Sequence, residues 1–208
     1  MKKNDFLIQY FEKRKSKIIK FFTLLLLAFL IVLAINNNFT PKNYIAKVHI
    51  EGIINDKDEL IKKLNDINQN KNIKGLLIIV NSPGGTFVSS KEILDALEKI
   101  SIKIPTSAYM REMATSGAYL ASLGAKKIFA NQGTITGSIG VILQTAQLTS
   151  FMEKIGVKPI VIKSGELKAT PNPLEKLDDE KLKYLKKIIV QLQNQFLEIV
   201  EKKRNLNQ

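Results

Sequence analysis

Apolar residues crowd most densely at 18–35, where IIKFFTLLLLAFLIVLAI is interrupted only by Lys20 and Thr23. A helix of this length is about 27 Å long, the thickness of a bilayer's hydrocarbon core. Lys20 sits near its start and can reach the headgroups. The stretch reads as a membrane anchor at 18–35, with a basic tail at 1–17 and a polar linker, NNNFTPKN, at 36–43. From Tyr44 the apolar positions become periodic. YIAKVHI (44–50) alternates as a strand does, and Gly52 breaks it. DELIKKLNDIN (58–68) repeats at helical spacing, and GLLIIVN (75–81) is the continuous run of a parallel strand covered on both faces. SPGGT (82–86) reads as a turn, 87–100 as a helix, PTSAYM (105–110) as a strand, ATSGAYLASLG (114–124) as a short helix stopped by Gly124, and KKIFA (126–130) as a strand. TITGSIGVIL (134–143) is a turn leading into a strand, AQLTSFMEKIG (146–156) a helix, KPIVIK (158–163) a strand, and SGELKATPNP (164–173) a loop closed by prolines. A long helix follows over 174–204. Asp178, Asp179 and Glu180 stand toward its start and Lys202, Lys203 and Arg204 toward its end, as the helix dipole favours.

Strands alternating with helices across short links specify parallel strands joined by right-handed crossovers, so the fold class is α/β. The 208 residues suffice for one domain at 44–208 with a sizeable core, besides the anchor. No GxGxxG follows the first strand and no GxxxxGK[ST] occurs, which leaves dinucleotide and P-loop chemistry without support. The formal net charge is +13, and +5 of it falls in residues 1–20. The remainder is dispersed among Lys–Glu and Lys–Asp neighbours with no basic block interleaved with aromatics, so nucleic acid is not an expected partner. Basic residues ahead of the apolar run place the N-terminus in the cytoplasm and everything after Ile35 outside. No small-x-small cleavage site follows the run, so the anchor is expected to remain attached. Cysteine is absent and His49 is the single histidine, which excludes disulfides, thiolate metal sites and clustered-histidine sites. No metal or cofactor is expected.

Ser116 stands at or beside the first turn of the 114–124 helix, where unpaired N–H groups favour developing negative charge. A serine there serves as a nucleophile if a base is within reach, or else caps the helix. Ser82-Pro83-Gly84-Gly85 follows the strand expected to be central. Its glycines let backbone N–H groups approach a ligand, as an oxyanion hole requires, although Pro-Gly also makes plain strand-to-helix turns. His49, in the first strand, reads as a core or edge residue rather than a base. A lysine acts as base when burial depresses its pKa. Lys168 stands apart from the other lysines because it follows a strand and Ser164-Gly165, and precedes Thr170-Pro171-Asn172-Pro173 in a loop otherwise poor in charge.

Together, SPGG (82–85), ATSGAYLA (114–121), TGSIGVI (136–142), SGELK (164–168) and FLEIVEKKR (196–204), in this order, resemble the signal peptide peptidase A family. These are membrane-anchored serine proteases of peptidase family S49, with a Ser-Lys dyad on a ClpP/crotonase-like fold of repeated βαβ units. The resemblance spans about residues 44–204. Carried over motif by motif, it implies Ser116 as nucleophile, Lys168 as general base and Ser138 as the residue that helps hold the lysine. Gly85 and the amide of Gly117 would form the oxyanion hole, with Gly84 a neighbouring candidate.

The same resemblance implies an endopeptidase that degrades cleaved signal peptides or other membrane-associated peptides. It also implies a homo-oligomer at the bacterial cytoplasmic membrane, with the catalytic domain outside. Ala118 stands where the family usually has a second glycine, and the family pattern continues after the long helix with a Gly-Arg turn, a strand and a further helix. By that measure the domain is short at its C-terminus. Two other readings are a membrane-tethered peptide-binding or assembly module of the same fold without catalysis, and a crotonase-like acyl-CoA enzyme, which needs no Ser-Lys pair.

Overall fold

The computed structural model describes the backbone of residues 2–38 and 43–205, and the side chains of residues 14–33 and 43–205. It divides into two units, one ending at Tyr44 and the other beginning at Ile45. The first holds a single helix, α1 (Lys2–Asn38), whose segment Arg14–Leu33 is long and apolar enough to cross a membrane. The helix takes in residues 36–38 of the expected linker, and 39–42 lie outside the described residues.

The second unit is organised on a five-stranded sheet. Strands β1 (Tyr44–Ile54), β2 (Ile73–Gly85), β3 (Thr106–Thr115) and β4 (Lys127–Ala130) lie side by side in that order. A short β5 (Ile135–Gly137) also pairs with β3, and β2, β4 and β5 all run parallel to β3. The connections between the first four strands carry α2 (Asp58–Gln69), α3 (Phe87–Lys103) and α4 (Gly117–Ser122), one helix for each crossover. Beyond the sheet come α5 (Thr149–Lys154) and α6 (Asp179–Arg204).

The main core joins one face of the sheet, including Ile54, Ile78 and Val80, to Leu64 of α2 and to Ile93 and Leu97 of α3. Leu77 and Ile79, which alternate onto the opposite face of β2, are only half-buried. The apolar run at 75–81 is therefore fully covered on one face, not on both. A second cluster ties α3, α4 and α6 together through Leu94, Leu120, Phe196 and Val200. Phe196 is fully enclosed and meets Phe87 edge-on, with ring centroids 6.3 Å apart. Burying one such ring stabilises by roughly 1.5–3 kcal/mol, and this contact seats α6.

Three strands outrun the limits expected from sequence. β1 passes through Gly52, at φ +67°, to Ile54; β2 takes in Ser82–Gly85; β3 continues to Thr115. In each case a neighbour supplies hydrogen-bonding partners that local sequence does not reveal: Thr86 N–H bonds Ile54 O, Ser82 stands opposite Ala114, and Thr115 stands opposite Gly137. The strand expected within 134–143 is confined to β5 (Ile135–Gly137), and the one expected at 158–163 does not form. The segments 139–143 and 158–163 have no strand beside them among the described residues, and Ile142, Ile160 and Ile162 are 88%, 86% and 94% exposed. An unpaired strand has no ladder to stabilise it, and Pro159 lacks a donor in any case. The helix expected at 146–156 contracts to α5. The helix expected at 114–124 contracts to α4 because Ala114 and Thr115 belong to β3. The long helix begins at Asp179, not 174, because Asp178 caps it by accepting the N–H of Lys181 at 2.9 Å.

Candidate active site

Strand β3 hands over to α4 at Ser116, whose φ of 51° and ψ of −122° are rare for any residue but glycine. Such a conformation costs on the order of 1–3 kcal/mol and persists only where the surroundings impose it. Here the Ser116 N–H donates to Gly137 O at 2.8 Å, and its carbonyl accepts the N–H of Leu120 at 3.0 Å. Thr136 reinforces the same pairing by donating its hydroxyl to Ala114 O at 2.9 Å. Ser138, the residue after β5, also has positive φ, 54°. Ser116 and Ser138 thus leave two paired strands at the same level. Although Ser116 occupies the N-cap position of α4, its hydroxyl makes no capping hydrogen bond. The side chain is not consumed by the helix it precedes.

The end of β2 lies against this turn. Ser82 is buried; its hydroxyl donates to Gly52 O at 2.6 Å and accepts the N–H of Gly84 at 3.1 Å. Gly84 has φ +97°, and a Cβ there would come within 2.7 Å of both Gly117 N and Thr115 O. A Cβ on Gly85 would overlap the Ile54 carbonyl. One on Gly117 would overlap the Ser90 hydroxyl and sit 3.2 Å from Gly85 N. The Gly84-Gly85 and Gly117 backbones therefore touch, which is possible only without side chains. Thr86 N–H bonds Ile54 O on the β1 side at 2.7 Å. Alternation along the strand turns the N–H of Gly85 toward the other edge, where Gly117 lies. Gly117 opens α4, and the first N–H groups of a helix have no partner within it. The N–H of Gly84, by contrast, is taken by Ser82.

Ser116, Ser138, Gly84, Gly85 and Gly117 all line one cavity of about 850 Å³. Its walls are mainly apolar: Phe87 from α3, Leu120 from α4, Leu192 and Phe196 from α6, and the segment 139–142. Thr86 and Gln193 add polar side chains, and no charged side chain lines it among the described residues. Lys168 lies outside this cavity, on the 164–173 loop, with its side chain exposed and its N–H bonded to Gly165 O at 3.1 Å. The structure gathers two serines and three glycines in one place and leaves the lysine apart from them. His49 is exposed beside Glu51, 3.2 Å away, in a separate concavity. Among the described residues no grouping of three acidic, histidine or cysteine side chains is placed to hold a metal.

Sequence reasoning passes over Ser82, Ser90 and Gln193. Ser82 stands inside the SPGG motif, so its signal was present. Ser90 matters only because packing of α3 brings it under Gly117, and Gln193 only because α6 folds across the cavity.

Comparison with known proteins bears on the family and the fold. The pattern of Peptidase family S49 matches residues 98–208, and that of Clp protease matches residues 45–146. A relative from Enterococcus faecium named "Putative signal peptide peptidase SppA" is 34% identical over 177 residues, covering 78% of this chain and 52% of that one. "Putative protease slr0021" of Synechocystis is 37% identical over 169 residues, covering 80% and 61%. The chain spans about half the length of the curated relatives it matches. A ClpP1 mutant from Listeria monocytogenes has the same fold, with a TM-score of 0.51 at 16% identity over 77% of this chain and 73% of that one. The α/β architecture is ClpP-like, and the chain belongs to peptidase family S49.

Proposed function

We propose that this chain is a membrane-anchored serine endopeptidase with Ser116 as nucleophile and Lys168 as general base. One observation carries the reading: an uncapped serine hydroxyl at a positive-φ turn shares an apolar-walled cavity with the touching backbones of Gly85 and Gly117. The Ser116 oxygen attacks the scissile carbonyl carbon while its proton passes to the neutral Lys168 amine. The carbonyl oxygen, now an oxyanion, accepts the N–H groups of Gly85 and Gly117, each donor being worth about 3–4 kcal/mol. Collapse breaks the C–N bond, and the departing amine takes the proton from Lys168. Water then attacks the acyl-enzyme in the same way, giving its proton to Lys168 and returning one to Ser116. Gly84 shapes the turn, and the Ser138 hydroxyl orients the lysine.

Support for Lys168 comes from its SGxxK motif in a member of family S49. Because it stands outside the cavity, its role requires the 164–173 loop to deliver the amine to Ser116. Apolar walls suit extended peptides with apolar side chains near the cut, such as signal-peptide remnants, taken up as an added strand beside the SPGG segment. The anchor, cytoplasmic N-terminus, external catalytic domain and homo-oligomeric assembly belong to the same proposal. Cleavage of a fluorogenic apolar peptide by wild type, Ser116→Ala and Lys168→Ala tests it: both variants should fall to background, and undiminished turnover in either contradicts the dyad.

Among the described residues the cavity walls carry no charged side chain, which favours a second reading, a tethered peptide-binding module without catalysis. Peptide binding with no covalent capture of a fluorophosphonate at Ser116 would select it.

A further inference from the structure

We infer that Lys163, Glu175 and Lys181 form a clamp that positions the loop bearing Lys168, and are thereby positioning residues for the hydrolytic reaction. The inference rests on the reading of Lys168 as general base. Lys163 Nζ lies 2.7 Å from Glu175 Oε2 and donates to Glu166 O at 2.9 Å. Lys181, in the first turn of α6, lies 3.6 Å from the same Glu175 oxygen and 3.2 Å from Asp178 Oδ2. The side chains of Lys163, Glu175 and Lys181 are only 14%, 16% and 13% exposed. Lysines and glutamates this covered are uncommon unless paired. One carboxylate held between two ammonium groups constrains geometry in a way that a lone exposed pair does not.

The Lys163–Glu175 contact closes the chain between them into a ring. Inside it, Lys168 N–H bonds Gly165 O and Thr170 N–H bonds Leu167 O. Lys181 fastens the ring to the start of α6. The same helix carries Leu192, Gln193 and Phe196 to the Ser116 cavity and is fixed there by the enclosed Phe196 ring. A single helix thus joins the base of the Lys168 loop to the wall of the nucleophile's cavity, so the clamp decides where the Lys168 amine can go. None of the three clamp residues lies in a strand of the sheet or in α2, α3 or α4. Opening the clamp should free the loop and leave the sheet intact.

The test uses the full chain in detergent, with Glu175→Gln, the charge swap Lys163→Glu/Glu175→Lys, and Lys168→Ala. In Glu175→Gln, kcat for an apolar peptide should fall about tenfold or more with KM within about twofold, as expected when a reacting group is misplaced and binding is not. The charge swap should restore part of the loss. Amide exchange across 164–174 should speed about tenfold in Glu175→Gln while β2 and α3 keep their protection, a readout independent of turnover. Wild-type kcat in Glu175→Gln, with Lys168→Ala inactive, overturns the clamp and spares the dyad. Unchanged exchange at 164–174 in Glu175→Gln also overturns it. Turnover surviving in Lys168→Ala overturns the dyad and this inference with it.

Discussion

The N–H of Ser116 is bonded to the carbonyl of Gly137 at 2.8 Å, so the residue proposed as nucleophile is held by the residue just before Ser138. This bond ends the β3–β5 pairing and sets both serines at one level beside the cavity. If Ser138 orients the base, its hydroxyl matters to turnover and not to folding. Ser138→Ala should lower kcat about tenfold or more while the melting temperature moves by no more than a couple of degrees, since no buried volume is lost. Steady-state kinetics beside a thermal melt check both halves. A large drop in melting temperature would assign Ser138 a structural role instead.

The contact between Gly117 and Ser90 makes a packing prediction. Gly117→Ala drives a methyl group into the buried Ser90 hydroxyl, which itself donates to Thr86 O at 2.8 Å. Overpacking of this kind costs about 1–3 kcal/mol. The double variant Ser90→Ala/Gly117→Ala removes the clashing oxygen and should recover part of that loss. Urea titrations of Ser90→Ala, Gly117→Ala, the double variant and wild type measure the coupling, and simple additivity would show that the two residues do not collide.

Phe196 serves both the second core cluster and the cavity wall. Phe196→Ala should destabilise by about 3–5 kcal/mol, the usual cost of emptying an enclosed aromatic site. A denaturant midpoint barely different from wild type would mean that α6 is not seated through this ring.

The clamp carries a sign for pH. The hydrogen bond from Lys163, aided by Lys181, holds the Glu175 carboxyl below its ordinary range. The Lys181 backbone N–H holds Asp178 below its own, and the Asp178 carboxylate raises Lys181. Glu166 and Lys176 also face this concavity. A depressed carboxyl stabilises above its unfolded value and loses that contribution as pH falls through the native one. A raised lysine contributes below its unfolded value and loses it as pH rises through the native one. The ratio of amide protection at 164–174 between wild type and Glu175→Gln should be level from about pH 5 to 9 and shrink below about pH 4. A ratio that instead fell between pH 6 and 8 would point away from these carboxylates.

Much of this was legible in the chain itself. The anchor candidate, the strand–helix alternation and the helices expected at 58–68, 87–100 and 174–204 follow from periodicity, and the structure forms those helices over 58–69, 87–103 and 179–204. Strand ends were not legible. Ser82–Gly85 and Arg111–Thr115 are strand only because β1, β3 and β5 offer partners, and pairing is not a local property. The converse holds at 158–163, where a good strand pattern finds no partner strand among the described residues. Of the site, motif order brought Ser116, Ser138, Gly84, Gly85 and Gly117 to one cavity. The position of Lys168 is set by a loop hung on an ionic clamp, and nothing in the motif encodes that geometry.

The most direct test of the account is the rate at which a fluorophosphonate labels Ser116 in the full chain, followed by mass spectrometry of the modified peptide, in wild type and in Lys168→Ala. A Ser116–Lys168 dyad gives a single adduct on Ser116 in wild type and a rate lower by about a hundredfold or more in Lys168→Ala, because the base that frees the hydroxyl is gone. No adduct on Ser116 in wild type, or an equal rate in both proteins, would contradict it.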